Sequence, residues 1–485
     1  MRFNIKLILS IQGILLIFNG LFMLCCLPFS LYFGDNDWRI LLACGLGTTL
    51  TGLGLYFFFK NANDKSLKKR DGYLIVTMGW VLMSLFGSFP YWLTGSLPVF
   101  TDAFFETMSG FTTTGATVMD NIESMGHGIL LWRSLTQWIG GMGIIVLTVA
   151  ILPLLGIGGM QLFIAEVPGV TYDKIKPRIT DTAKRLWAIY VILTLVECGL
   201  LYFAGMSFFD AVNHSLTTMS SGGFSTRQDS IAFFNSPTIE YIIIVFMFLA
   251  GTNFSLIYFG MHLDFKKVWD NEEFRNYVKI FVAFTVLISV ALFYGTTMGA
   301  EESFRTGLFQ LISIVTTTGF ATADYTTWLP FLTIIFFFLM FVGGSAGSTS
   351  GGIKVVRHVI LIKNSLLELK RQLHPSAILP VRLNHKGIRQ EITFNVLAFI
   401  MIYFIIFSIG ALLLSAMGID FVTSLGATAT SLGNVGPGFG SVGPAETFAA
   451  LPAAAKWLLA LLMLLGRLEL FTVLMMFNPN FWINK

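Results

Sequence analysis

Apolar stretches alternate with short polar ones along the whole chain, and their lengths fall into two classes. Segments of about 20 residues, enough to cross a bilayer as helix, lie near 7–33, 38–59, 72–95, 128–155, 185–205, 238–262, 277–297, 327–342, 392–416 and 456–477. These predict ten full crossings. The run 327–342 is short and passes into GGSAGSTSGG, residues Gly343–Gly352. Five glycines (Gly343, Gly344, Gly347, Gly351, Gly352) and four hydroxyl residues in ten positions cannot form a stable helix interior. An interruption of the membrane helix is predicted there.

The second class is shorter and recurs. DAFFETMSGFTTTGAT (Asp102–Thr117) aligns on its last glycine with DAVNHSLTTMSSGGFS (Asp210–Ser225), TGLFQLISIVTTTGFA (Thr306–Ala321) and, more faintly, TSLGATATSLGNVGPG (Thr423–Gly438). The aligned glycines Gly115, Gly223, Gly319 and Gly436 are 108, 96 and 117 residues apart, which indicates a repeated architecture. Thirteen residues before each stands Asp102, Asp210, Thr306 or Thr423, and these are expected to be helix N-caps. From cap to glycine run is about ten residues, a helix of roughly 15 Å and half the hydrocarbon core. Each segment is therefore read as a re-entrant half-helix between two full crossings.

Composition agrees. Of 485 residues 55% are hydrophobic and 12% charged, and the mean hydropathy is +0.74, which excludes a soluble multidomain chain. Lys60–Asp71 carries five basic residues against two acidic, and Lys354–Arg389 eight against the single Glu368. Ser96–His127 and Asp420–Pro452 carry no Lys or Arg. By the positive-inside rule the basic loops and both termini are cytoplasmic, and the threonine-rich runs face outside. Met1–Phe29 begins basic and turns apolar like a signal peptide, but its length and the lack of a small-residue cleavage site make it a first membrane helix. The basic run 354–389 is a solvated inner loop that also suits an acidic partner or lipid headgroups.

Non-helical backbone at membrane depth is tolerated only when buried in protein or lining a water-filled cavity. Four such segments about one axis form a cavity, and half-helices aim their negative ends into it, which favours a cation. The predicted filter comprises Thr112, Thr113, Thr114 and Gly115; Ser220, Ser221, Gly222 and Gly223; Thr316, Thr317, Thr318 and Gly319; and Gly433, Asn434, Val435 and Gly436. Its carbonyls would replace the water shell of an ion. The gate is predicted at Gly343–Gly352 with Lys354. Arg467, in the middle of the last crossing, would hold it by donating to free carbonyls. Glu469, two residues on, lies nearly opposite on a helix and is not expected to pair with Arg467. Glu197 is a lone membrane glutamate, suited to a relay or to an interhelical hydrogen bond. Six scattered histidines and four cysteines in apolar runs suggest neither metal ligands nor a catalytic base. There is no HExxH motif, aspartate-rich metal motif or nucleophile elbow, so no enzyme is expected, and nothing points to nucleic acid.

These motifs resemble the TrkH/KtrB/HKT superfamily of potassium transporters, and its TrkH branch in particular, over essentially the whole chain. The resemblance rests on Thr112–Val118, Trp138–Leu162, Gly222–Thr226, Thr316–Phe320, Gly343–Val355, Asn434–Gly438 and Gly466–Thr472, and on the extra helix pair before the first repeat. It implies K+ as transported ion with no other cofactor, a bacterial inner-membrane location, a homodimer, and gating by a cytoplasmic TrkA-type nucleotide-binding ring. In plant relatives serine at the first filter glycine accompanies sodium permeation; Gly115 favours potassium. The fourth segment departs most from the pattern, and its side chains are expected to contribute least to ion binding. The residues leave open a gated channel, a proton- or sodium-coupled symporter, and a less selective K+/Na+ pathway.

The expected fold is an all-α integral membrane protein of four pseudo-symmetric helix–pore-helix–helix repeats around one central pore, preceded by an extra pair of transmembrane helices. The pair occupies 1–60. The repeats occupy 72–156, 182–263, 275–372 (with the intramembrane loop 343–352) and 389–477.

Overall fold

A computed structural model describes residues 3–60, 69–143, 179–375, 377 and 379–482. Most of the basic segment 60–71, the end of the 128–155 crossing and the close of the first repeat at 156 lie outside the described residues.

The N-terminal pair, Ile5–Leu24 and Trp38–Phe59, packs with its backbones in close approach. A Cβ on Gly13 would lie 2.7 Å from the Gly52 carbonyl oxygen, and one on Gly20 2.6 Å from that of Gly45. Small residues allow such approach where lipid offers no hydrophobic drive to associate. Two buried amides tie the pair to the next helix: Gln12 donates to the Ile75 carbonyl (2.8 Å) and Asn19 to that of Met83 (3.1 Å).

Each repeat then runs as a leading helix, a half-helix and a trailing helix. The leading helices are Lys69–Leu93, Ile179–Phe203, Glu272–Gly295 and Gln390–Ala416. The half-helices are Phe100–Phe111, Phe208–Met219, Ala300–Val315 and Phe421–Gly433. They are 12, 12, 16 and 13 residues long, about 18–24 Å at 1.5 Å per residue. This extra length corrects the expected caps. The capping positions are Val99, Ser207, Gly299 and Asp420, and Asp102, Asp210, Thr306 and Thr423 lie inside the helices. Asp102 and Asp210 occupy the first turn, where a carboxylate still meets the positive end of the helix dipole. Ser207 accepts from the Asp210 amide and Asp420 from that of Thr423.

The trailing helices depart most from the hydropathy reading. The six described helices long and apolar enough to cross alone are the N-terminal pair and the four leading helices. The trailing helices are interrupted. Pro237–Ala250 and Phe254–Met261 meet at 110° across Gly251–Asn253. Pro330–Leu339 resumes as Val355–Leu373 after the glycine-rich break. Ala453–Arg467 resumes as Phe471–Phe477 after Glu469 and Leu470, both with positive φ. In the first repeat His127–Gly141 ends at Met142. The expected single crossings 238–262 and 456–477 are thus broken rods. The only described strands, Arg382–Leu383 and Lys386–Gly387, form a hairpin whose turn residues Asn384 and His385 both have positive φ, as a tight two-residue turn requires.

Candidate ion filter and gate

The end of every half-helix is built the same way. The residue two before the aligned glycine is left-handed: Thr113, Ser221, Thr317 and Asn434 have φ of 52, 55, 57 and 53°. This turn sends the next amide back to the helix, from Thr114 to Ser109, Gly222 to Thr217, Thr318 to Ser313 and Val435 to Thr430. The chain then leaves in a left-handed glycine, with φ of 81, 75, 83 and 104° at Gly115, Gly223, Gly319 and Gly436. Such a reversal closes a helix C-terminus by satisfying an end carbonyl.

The four turns meet in a closed ring. A Cβ on Gly115 would lie 2.2 Å from the Gly222 oxygen, on Gly223 1.9 Å from that of Thr318, on Gly319 2.2 Å from that of Val435, and on Gly436 2.9 Å from that of Thr114. Each repeat presses on the next and the fourth returns to the first. All four glycines line one cavity, together with Arg133, Arg227 and Glu446. The predicted filter residues are therefore brought together.

The threonine hydroxyls anchor backbone. Thr112 donates to the Met108 carbonyl (2.6 Å) and Thr316 to that of Ile312 (2.7 Å), while Thr112–Thr114 and Thr316–Thr318 are each paired at 2.8 Å. The Asn434 amide is spent on Thr114 Oγ1 and the Met463 carbonyl, both at 3.0 Å. The fourth segment's distinctive side chain thus joins the first segment to the last crossing.

A supporting layer was missed in the sequence reading. Nine residues before the filter glycines stand Glu106, His214 and Gln310, each reaching the chain that leaves the filter. Glu106 accepts from the Val118 amide (2.9 Å) and from Arg133 (2.7 Å), a pair with side-chain exposures of 0% and 2%. Arg133 also donates to the Ser225 carbonyl (2.8 Å) and lies 3.6 Å over the Phe224 ring. His214 meets Ser225 Oγ at 2.9 Å, and Gln310 donates to the Ala323 carbonyl at 2.9 Å. Gln137 braces the second segment, donating to the Gly222 carbonyl and accepting from the Phe224 amide. The signal was available in the alignment: three of the four segments are polar at that register, and only Ala427 is not.

The glycine-rich break packs against three filter segments. Thr349 Oγ1 pairs with Ser221 Oγ (2.9 Å), the Gly351 amide donates to Thr317 Oγ1 (2.6 Å), and a Cβ on Gly351 would strike Asn434 and the Gly433 oxygen at 2.7 Å. The break also enters the gap in the second trailing helix, with Ser345 and Thr349 amides donating to Gly251 and Ala250 and the Phe254 amide to Gly347. Gly343 donates to the Ile353 carbonyl, the Val355 amide donates to that of Gly344, and Gly347 and Gly352 have positive φ. Lys354 donates to the Ser350 carbonyl, which folds the break on itself. Arg467 donates to the Thr349 carbonyl (2.8 Å) and to those of Gly140 and Gly141. Glu469 pairs instead with Arg357, which lies over Phe399. Glu197 is buried beside Thr218 of the second half-helix.

The TrkH family, described as cation transport protein, matches residues 46–483. The chain is 40% identical to the Trk system potassium uptake protein TrkH of Halomonas elongata, covering 99% of each. It is also 40% identical to the protein of that name from Escherichia coli K12, covering 89% of this chain and 90% of the relative. The crystal structure of the potassium transporter TrkH from Vibrio parahaemolyticus superposes with a TM-score of 0.89 at 36% identity over all of both chains. This chain is a membrane protein of the TrkH family.

Proposed function

We propose that this chain carries potassium into a bacterial cell across the inner membrane, through the ring of Gly115, Gly223, Gly319 and Gly436. The observation that carries the reading is the cyclic contact of four identically turned segments around one cavity. Such a ring presents backbone oxygens to a dehydrated cation at four sides. The half-helices behind it direct their negative ends to the same place. Relatives named as potassium uptake proteins support K+ as the ion. The lack of Lys and Arg in 96–127 and 420–452 supports a filter mouth that faces outside and termini that lie in the cytoplasm.

The break Gly343–Gly352 is the gate, held closed by Arg467, and a cytoplasmic TrkA-type ring acting on the basic stretch after Lys354 would draw it aside. The chain works as a homodimer. The test is cation flux in vesicles containing the purified protein. Potassium and rubidium are expected to pass in preference to sodium; equal rates for all three would overturn the filter.

A further inference from the structure

We propose that Glu273 is the latch that holds the break in place, a role that rests on the reading of Gly343–Gly352 as the gate. Glu273 lies in the first turn of the third leading helix and is 5% exposed. One carboxylate oxygen accepts from the Ala346 amide (2.7 Å), inside the break, and from the Val356 amide (3.2 Å), in the first turn of the helix that follows it. A single side chain thus clamps the loop and the helix start together. The Val356 amide is one of the orphan donors of a helix N-terminus, where a carboxylate is favoured by both hydrogen bonding and the dipole. Removing an acceptor from two buried amides leaves them unsatisfied, so release of the break is coupled to this residue.

The neighbouring residue carries the connection onward. Glu272 pairs with Lys363, two turns along the helix after the break, and exchanges hydrogen bonds with Asn384 in the hairpin turn: its amide donates to Asn384 Oδ1 (2.8 Å) and its carboxylate accepts from the Asn384 amide (3.1 Å). Lys363 also donates to the Arg382 carbonyl. The hairpin Arg382–Gly387, the helix Val355–Leu373 and the first turn of the leading helix are one lashed body. Displacing that body moves Glu272 and with it the adjacent Glu273. The hydrogen bonds of Glu273 go to the break and the helix after it, and those of Glu272 to Lys363 and the hairpin, so latch and filter are separable by experiment.

The test compares Glu273→Ala with Glu273→Gln in vesicles containing the full-length protein, without any partner, measuring rubidium flux and the K+/Na+ permeability ratio. Glu273→Ala is expected to raise flux roughly tenfold, since two amides lose a charged acceptor, with the ratio unchanged. Glu273→Gln keeps an acceptor oxygen and should restore most of the restraint. Should the alanine variant fail to reach the membrane, Glu273→Ser replaces it; serine suits a first turn and is too short to reach Ala346. Wild-type flux in the truncated variant overturns the latch, as does a rise accompanied by loss of potassium preference in both variants. Deleting Ser345–Ser350 in parallel separates the two ideas. Flux raised by the deletion alone leaves the gate standing and the latch refuted, and flux raised by neither refutes both.

Discussion

Gly115 is constrained twice, by its φ of 81° and by the Gly222 oxygen 2.2 Å from where a side chain would begin. Gly115→Ser must therefore push the Gly222 carbonyl or open the turn, and the potassium preference should fall several-fold toward sodium. Reversal potentials in mixed K+/Na+ solutions measure this, and an unchanged ratio would remove Gly115 from the filter. Arg133 is a different case, since its partner Glu106 is wholly buried. Arg133→Ala leaves that carboxylate uncompensated at a cost of about 3–5 kcal/mol, which thermal unfolding in detergent should register as a marked loss of stability. The meeting of the four glycines was legible because four copies could be aligned. Glu106 and His214 were harder to see, because the residue type at that register changes from repeat to repeat and only its polarity persists, in three of the four.

Among the elements, the half-helices were readable and the breaks in the trailing helices only partly so. GGSAGSTSGG announces itself by composition. Gly251–Asn253 is three residues between two apolar runs, and hydropathy averaged over a crossing conceals it. Its one local sign is Asn253, whose side chain caps the following helix by accepting from the Ser255 amide. The last break has no compositional sign, because Glu469 and Leu470 take positive φ without glycine; tertiary contacts impose it, Glu469 being held by Arg357. If the glycine-rich break occludes the path, deleting several of its residues should raise potassium flux and weaken dependence on a cytoplasmic partner, and Arg467→Ala should act in the same direction by freeing the Thr349 carbonyl. Flux and regulation like those of the intact protein in both variants would show that the break is a passive kink.

For the whole molecule, the orientation argued from Lys and Arg has a direct check. Single cysteines at Asn121 and Ser441 should react with an impermeant reagent applied to intact cells, and one at Ser66 should not. Outside labelling at Ser66 would invert the topology. The four-repeat plan around one axis was legible from periodicity, whereas the order of contacts that closes the ring was not: which repeat touches which is set by the fold and leaves no trace in spacing.

That closure has a genetic consequence. In a pore assembled from four copies of one polypeptide, any codon change strikes every quadrant at once. Here the quadrants are written separately in a single reading frame, so each can drift alone, and the fourth carries Asn434 where the first and third carry threonine. The dose of any lesion is one part in four. Its neighbour feels it too, because the carbonyl that borders Gly115 belongs to the second quadrant. If the ring is the filter, a lineage can retune ion preference in quarter steps, with a compensating change expected in the quadrant next along the chain.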